Sequence, residues 1–267
     1  MALEDLMRGH NIPSIGLKSL NVMESPVPCS SNVWVAPGDK VNTIKKVKKS
    51  GKRPASPIKL VWEFLQYETL NRLFHEYKEA GLKVNVPTPL GVDPPEFSLY
   101  TEYASGFILF DFDRVPQGTT VKHYTGERVP IEYSVAFHLG VINQIKEWNS
   151  IYHSDYDLRH IIFDPETGIA SMFDLENTRY AAQKPYVQKE SERMISLWIE
   201  KASKRGADKV ELQKWYQAGR DYVRKIKKSY CDILAEVADK FGIKIRSTVG
   251  EIDGNPIGLT PLKIHNR

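Results

Sequence analysis

Apolar positions recur along this chain with two different periods, and each change of period marks an element. The runs NVWVA (32–36) and KVNTIKKV (40–47) are short and β-rich, and Pro37, Gly38 and Asp39 between them signal a hairpin turn. Ser56 and Pro57 then read as an N-cap and a first helical residue. Ile58, Val61, Leu65, Leu73 and Phe74 follow at near-helical spacing up to Gly81, a natural stop, which predicts one long helix. KVNVPTPLGV (83–92) and FSLYTEY (97–103) read as two further strands. After a connection rich in Pro and Gly, Phe137, Val141, Ile145 and Trp148 share one face of a second helix over 131–149. HIIF (160–163) and ASMF (170–173) are short strands joined by the turn DPETG. Two more helices are predicted, over 187–204 and 208–241, the latter opened by Asp208 with Glu211 three positions on in the manner of a capping box. The remainder, 242–267, has the Gly and Pro content of an extended tail.

This order describes an α+β chain with two unlike halves, a small sheet with one helix followed by a mainly helical part, and it contains no internal repeat. Its 267 residues, 41% hydrophobic, suffice for one large domain or two smaller lobes. No apolar run approaches the roughly 18 residues of a membrane span, and the first residues lack the pattern of a secretion signal, so a soluble, cytoplasmic chain is expected. Cys29 and Cys231 lack the close spacing of a zinc or redox motif and read as ordinary thiols. The formal charge of +4 is unevenly placed: Lys40 to Arg53 holds seven basic residues and no acid, and a second basic group between Lys201 and Lys228 is diluted by acids. Such faces are either solvated or meet an anionic partner such as RNA or a phosphorylated ligand.

The most polar stretch between apolar runs is IYHSDYDLRHIIFDPETGIASMFDLENTRY (151–180), which bunches Asp155, Asp157, His160 and Asp174 around two short strands. Charge normally avoids such places. The stretch is either a polar turn or a metal and phosphate site at strand ends. It resembles the catalytic centre of the protein-kinase-like superfamily, in which a His-x-Asp loop is followed five residues later by a metal ligand, then a hairpin, then a second Asp. His153, Ser154 and Asp155 fill the loop, His160 the ligand position, and Asp174, Leu175 and Glu176 the final turn. By pattern the nearest groups are the small atypical kinases: the RIO type, the kinase of the KEOPS complex, aminoglycoside phosphotransferases and lipopolysaccharide-core kinases.

The resemblance covers roughly residues 30–180 and implies a two-lobed fold that transfers the γ-phosphate of ATP to a hydroxyl of a protein Ser or Thr, a sugar or another small molecule. Its boundaries would be an extension at 1–29, a β-rich lobe at 30–105, a helical lobe at 106–241 and the tail. Asp155 would hold the acceptor hydroxyl, and Asp174 and His160 would hold Mg2+ or Mn2+. His153 would orient the loop backbone. Lys45, in a strand that resembles Val-Ala-Ile-Lys, would reach the ATP phosphates, with Lys46 beside it as the alternative. Glu68, on the stripe of Val61 and Leu65, would be the helix partner of that lysine. The backbone near Glu102, Tyr103 and Ala104 would meet adenine. Four features depart from the family pattern: there is no GxGxxG loop, no Ala-Pro-Glu follows Asp174, Ser154 stands where regulated kinases carry arginine, and His160 offers imidazole where most kinases offer an amide oxygen. A kinase-fold module that is catalytically silent and binds RNA or a protein partner is the rival reading.

Overall fold

The computed structural model describes residues 3–15, 27–28, 33–36, 41–45, 57–95, 97–181, 183–246, 251–252 and 255–256. A short helix α1 (Leu3–Arg8) buries Leu3, Leu6 and Met7. Strands β1 (Val27–Pro28), β2 (Val33–Ala36) and β3 (Val41–Lys45) precede the long helix α2 (Pro57–Glu79), and β4 (Val84–Asn85), β5 (Pro89–Asp93) and β6 (Ser98–Glu102) follow it. Five of these strands form one sheet in the order β1-β2-β3-β6-β5, with β2 and β3 antiparallel on either side of the expected turn. The segment Pro13–Ile15 lines the outer edge of this sheet, exchanging backbone hydrogen bonds with Val92. Gly91 permits that approach, since a Cβ there would lie 2.5 Å from the Ile15 side chain.

The stretch 83–92, expected as a single strand, divides in two. Pro87 and Pro89 cannot donate to a ladder. Val84 and Asn85 join a different sheet as β4, and Pro89–Asp93 pair with β6 as β5, Pro89 standing at the strand's start.

Beyond β6 the chain forms β7 (Phe107–Ile108), a 3-10 turn (Leu109–Arg114), the hairpin of β8 (Thr120–Lys122) with β9 (Arg128–Pro130), and α3 (Ile131–Trp148). Then come β10 (Ile151–His153), a second 3-10 turn (Leu158–His160), β11 (Ile161–Asp164), β12 (Ile169–Met172) and β13 (Thr178–Tyr180). A four-stranded sheet has the order β4-β12-β11-β7, and β10 pairs with β13. Helices α4 (Lys184–Ser203), α5 (Lys209–Tyr222) and α6 (Tyr230–Lys240) complete the helical part. Three short strands, β14 (Ile245–Arg246), β15 (Glu251–Ile252) and β16 (Asn255–Pro256), fall in the region expected to be an extended tail.

Two helices stand where the periodicity of 208–241 predicted one. Ser229 accounts for the break: its hydroxyl accepts from the Asp232 amide while the Asp232 carboxylate accepts from the Ser229 amide, a complete capping box that starts a new helix. Asp208 caps α5 as expected, accepting from the Glu211 amide at 2.8 Å. Helices α3 and α5 touch backbone to backbone: a Cβ on Gly140 would lie 2.1 Å from the Tyr216 carbonyl oxygen, and one on Gly219 would lie 2.0 Å from that of Phe137. Arg220 bridges the same pair with two bonds to the Glu147 carboxylate. Among the described residues no helix is long and apolar enough to cross a membrane.

Candidate functional site

The polar residues of 151–180 are brought to one corner by the ends of two ladders. In the β11/β12 hairpin Ile161 is opposite Met172, so His160 and Phe173 become neighbours just past the pairing, and the Phe173 amide donates to the His160 carbonyl. In the β10/β13 pair His153 is opposite Thr178, which returns the chain after Asp174 to the start of the loop. Between the ladders, Asp157 caps the 3-10 turn by accepting from the Arg159 amide at 3.2 Å and lies 3.6 Å from Arg193. Asp157 therefore shapes the loop.

At this corner the Nε2 of His153 donates to the main-chain oxygen of Asp174 at 2.6 Å, and its Nδ1 lies 3.2 Å from an Asp155 carboxylate oxygen. The Nε2 of His160 lies 3.6 Å from an Asp174 carboxylate oxygen. His153 and His160 are buried, whereas the Asp155 side chain is 48% exposed and so is open to an incoming group. Burial lowers the His153 pKa to about 4; Lys146 and His160 push it the same way, against Asp155 and the Asp174 carbonyl. Its imidazole is neutral in the folded protein near pH 7.

Asp174 has φ +57°, a left-handed conformation that costs an ordinary residue about 1 kcal/mol or more. Helix α2 holds it there. The Asp174 amide donates to the Tyr67 hydroxyl at 2.9 Å, and the Trp62 indole donates to the Thr178 carbonyl at 3.0 Å. Glu63, one turn before Tyr67 on the same face, is fully buried. Glu68 lies about 140° farther round the helix. It faces α6, within 3.8 Å of Arg72 and 3.7 Å of Lys240, so the inward-facing glutamate of α2 is Glu63 and not Glu68.

The loop is anchored from behind by residues that the sequence reading did not single out. The Glu190 carboxylate accepts from the His153 amide at 2.9 Å and from the Lys146 ammonium at 2.7 Å, and that ammonium stands 3.1 Å from the centre of the Tyr156 ring. Burial raises the Glu190 pKa and lowers that of Lys146, and in each case the partner's charge opposes it. A lysine on the apolar side of α3 was the one signal of this anchor in the sequence.

Of the other expected site residues, Lys45 closes β3 opposite Ser98. Lys46 lies outside the described residues. Glu102 ends β6, Tyr103 is 37% exposed and Ala104 is buried. Together they begin the link from the five-stranded sheet to β7. The link is held by Ser105, whose hydroxyl donates to Asp164 at 2.6 Å, and by Gly106, which passes so close to β11 that a Cβ would lie 2.2 Å from the Phe163 oxygen. A cavity of about 280 Å³, lined by Tyr77, Leu82, Asp221, Tyr222 and Arg224, touches none of these residues.

No family model and no curated protein matches the chain. Solved structures do. The chain is similar to the Rio2 kinase from Chaetomium thermophilum, solved as an ADP/Mg2+-phosphoaspartate complex, at 11% identity and a TM-score of 0.43, over 89% of this chain and 70% of that one. It is also similar to the bifunctional kinase-methyltransferase WbdD at 15% identity and a TM-score of 0.33, over 73% of this chain and 44% of that one.

Proposed function

We propose that the chain is an ATP-dependent phosphotransferase with a two-lobed, protein-kinase-like arrangement, acting on a hydroxyl group. The observation that carries this reading is the corner itself: a half-exposed carboxylate at Asp155, and beside it a second carboxylate, Asp174, held in a left-handed turn next to His160. The five-stranded sheet with α2 would form the smaller lobe, and Glu102, Tyr103 and Ala104 the link that meets adenine.

Asp155 would accept the proton of an acceptor hydroxyl and aim its oxygen. Asp174 and His160 offer one oxygen and one nitrogen 3.6 Å apart, near the roughly 3 Å between two donors on one divalent ion. The donor set fits Mn2+ and, less well, Mg2+, because imidazole is softer than the oxygen ligands that Mg2+ prefers. Such an ion neutralises phosphate charge. Lys45 or Lys46 would contact the phosphates, and Glu63, in place of Glu68, would orient that lysine from α2. His153 holds the Asp174 backbone, and Glu190 with Lys146 holds the His153 backbone.

The test is thermal stabilisation by ATP with Mg2+ or Mn2+, paired with turnover of labelled ATP. Asp174→Asn is expected to lose the metal-dependent stabilisation. Asp155→Asn is expected to keep it and to lose turnover by roughly a hundredfold or more. Wild type should favour Mn2+, and His160→Asn should narrow that preference. Wild-type protein that neither binds nor turns over ATP, while binding RNA with steep salt dependence, would replace this reading by the silent module.

A further inference from the structure

The His153 side chain poses a bonding problem that the phosphotransferase reading leaves unsolved. Its Nε2 faces the Asp174 carbonyl, which only accepts, so the ring proton sits on Nε2 and the free lone pair on Nδ1. That Nδ1 lies 3.2 Å from an oxygen of Asp155, also an acceptor when ionised. Two lone pairs face each other. Among the described residues the Nδ1 atoms of His153 and His160 are buried and make no hydrogen bond. Both ring planes are within reach of the same point, since the ring centres are 5.1 Å apart and one donor atom from each of His153, Asp155 and His160 falls within 4.8 Å of the other two.

We propose that His153, Asp155 and His160 form a transition-metal site that takes Zn2+ in the nucleotide-free protein. Two imidazoles and one carboxylate are a zinc donor set that leaves a fourth position open. Ligand bonds near 2.1 Å set tetrahedral donors about 3.4 Å apart, and the His153–Asp155 separation of 3.2 Å is close to this. The half-exposed Asp155 side chain has the freedom to close on the third donor. A metal-ligating histidine typically donates its other ring N–H to a carbonyl or carboxylate, which fixes the ring, and His153 does so to Asp174. This site differs from the Asp174–His160 pair assigned to the nucleotide's ion, but shares His160 with it. Zinc here takes both Asp155 and His160 out of use, so the consequence, inhibition, rests on the phosphotransferase reading; the binding itself does not.

The experiment uses the full chain stripped of metal, without nucleotide. Zn2+ is titrated against a chromogenic chelator, and Co2+ absorption reports coordination geometry. The expected result is one Zn2+ per chain and a tetrahedral Co2+ spectrum. Asp155→Asn and His160→Asn should each weaken Zn2+ tenfold or more and lose the spectrum. Asp174→Asn keeps the backbone carbonyl and should change Zn2+ affinity less than threefold while losing the ATP-dependent shift. Folding of each variant is checked by circular dichroism, and the buried His153 is left unaltered. Absence of stoichiometric binding, or Asp155→Asn binding like wild type, overturns the proposal; equal loss in Asp174→Asn moves the ion to the other pair and also overturns it. Zinc binding without ATP turnover would sink the phosphotransferase reading alone, and turnover without zinc binding would sink this proposal alone.

Discussion

Behind the loop, the Lys146 ammonium has a carboxylate at 2.7 Å and an aromatic face, and Glu190 spends both oxygens on donors, so the ion pair is closed to solvent and its bonds are made. In front, His153, Asp155, His160 and Asp174 are as close together, yet a lone pair faces a carboxylate, one residue is in a left-handed turn and one carboxylate is half open to water. Both groups bind the same strand end, His153, from opposite sides. Satisfied burial positions the loop, and the polar capacity left over is kept where chemistry would occur.

Breaking the closed side should have the largest effect. Lys146→Met leaves a buried carboxylate without its counter-charge, and a loss of about 3–5 kcal/mol in urea unfolding is expected. Adding Glu190→Leu should recover part of it, less the cost of the unmade bond from the His153 amide, about 1–3 kcal/mol. A single-variant loss below about 1 kcal/mol would erase the contrast between the two sides.

Acid should act next most strongly, through buried neutral histidine. His138, on α3, donates from Nδ1 to the Ser134 carbonyl at 2.7 Å, and burial lowers its pKa to about 4 from the ordinary histidine value of 6.5. The unfolded chain takes up the proton first, so stability is intact above about pH 6.5 and falls as pH drops from there towards 4. By pH 4.5 this residue alone should cost on the order of 2–3 kcal/mol, discounting any local opening. Urea midpoints at pH 7.5 and 4.5 should converge in His138→Leu relative to wild type. An identical acid loss in both proteins would show that His138 is protonated without cost.

The smallest effect sharpens the open side. Asp174→Gly removes a side chain from a left-handed residue, and the gain from released strain is offset by the entropy of an added glycine. Stability without ligand should stay level or rise by up to about 1 kcal/mol, while stabilisation by ATP and metal disappears. A clear destabilisation would mean that the carboxylate, and not function, keeps aspartate at this position.

Much of the architecture was legible because it depends on local signals. The extent of α2 from Pro57 to the stop at Gly81, the start of α5 at Asp208 and the antiparallel pairing of β2 with β3 follow from a first-turn proline, a stop, a cap and alternation, while the expected cap Ser56 and the turn at 37–39 lie outside the described residues. The spacing of His153, Asp155, His160 and Asp174 named the corner, and the registers of two ladders place all four together. The break between α5 and α6 was missed because a basic stretch continues the helical period, although Ser229 and Asp232 mark the cap.

By itself, then, the sequence determined where elements begin and which polar residues sit at strand ends, since caps, prolines and alternation act over a few residues. Tertiary structure alone decided which glutamate of α2 turns inward. That helix buries Leu60 through Tyr67 almost without interruption because it is packed on several sides, so no polar face marks its orientation, and Glu63 and Glu68 read alike until neighbours are in place. The same holds for Lys146 and Glu190, forty-four positions apart. A buried charge is tolerated only where a distant partner arrives, and that arrival is a property of the packed chain.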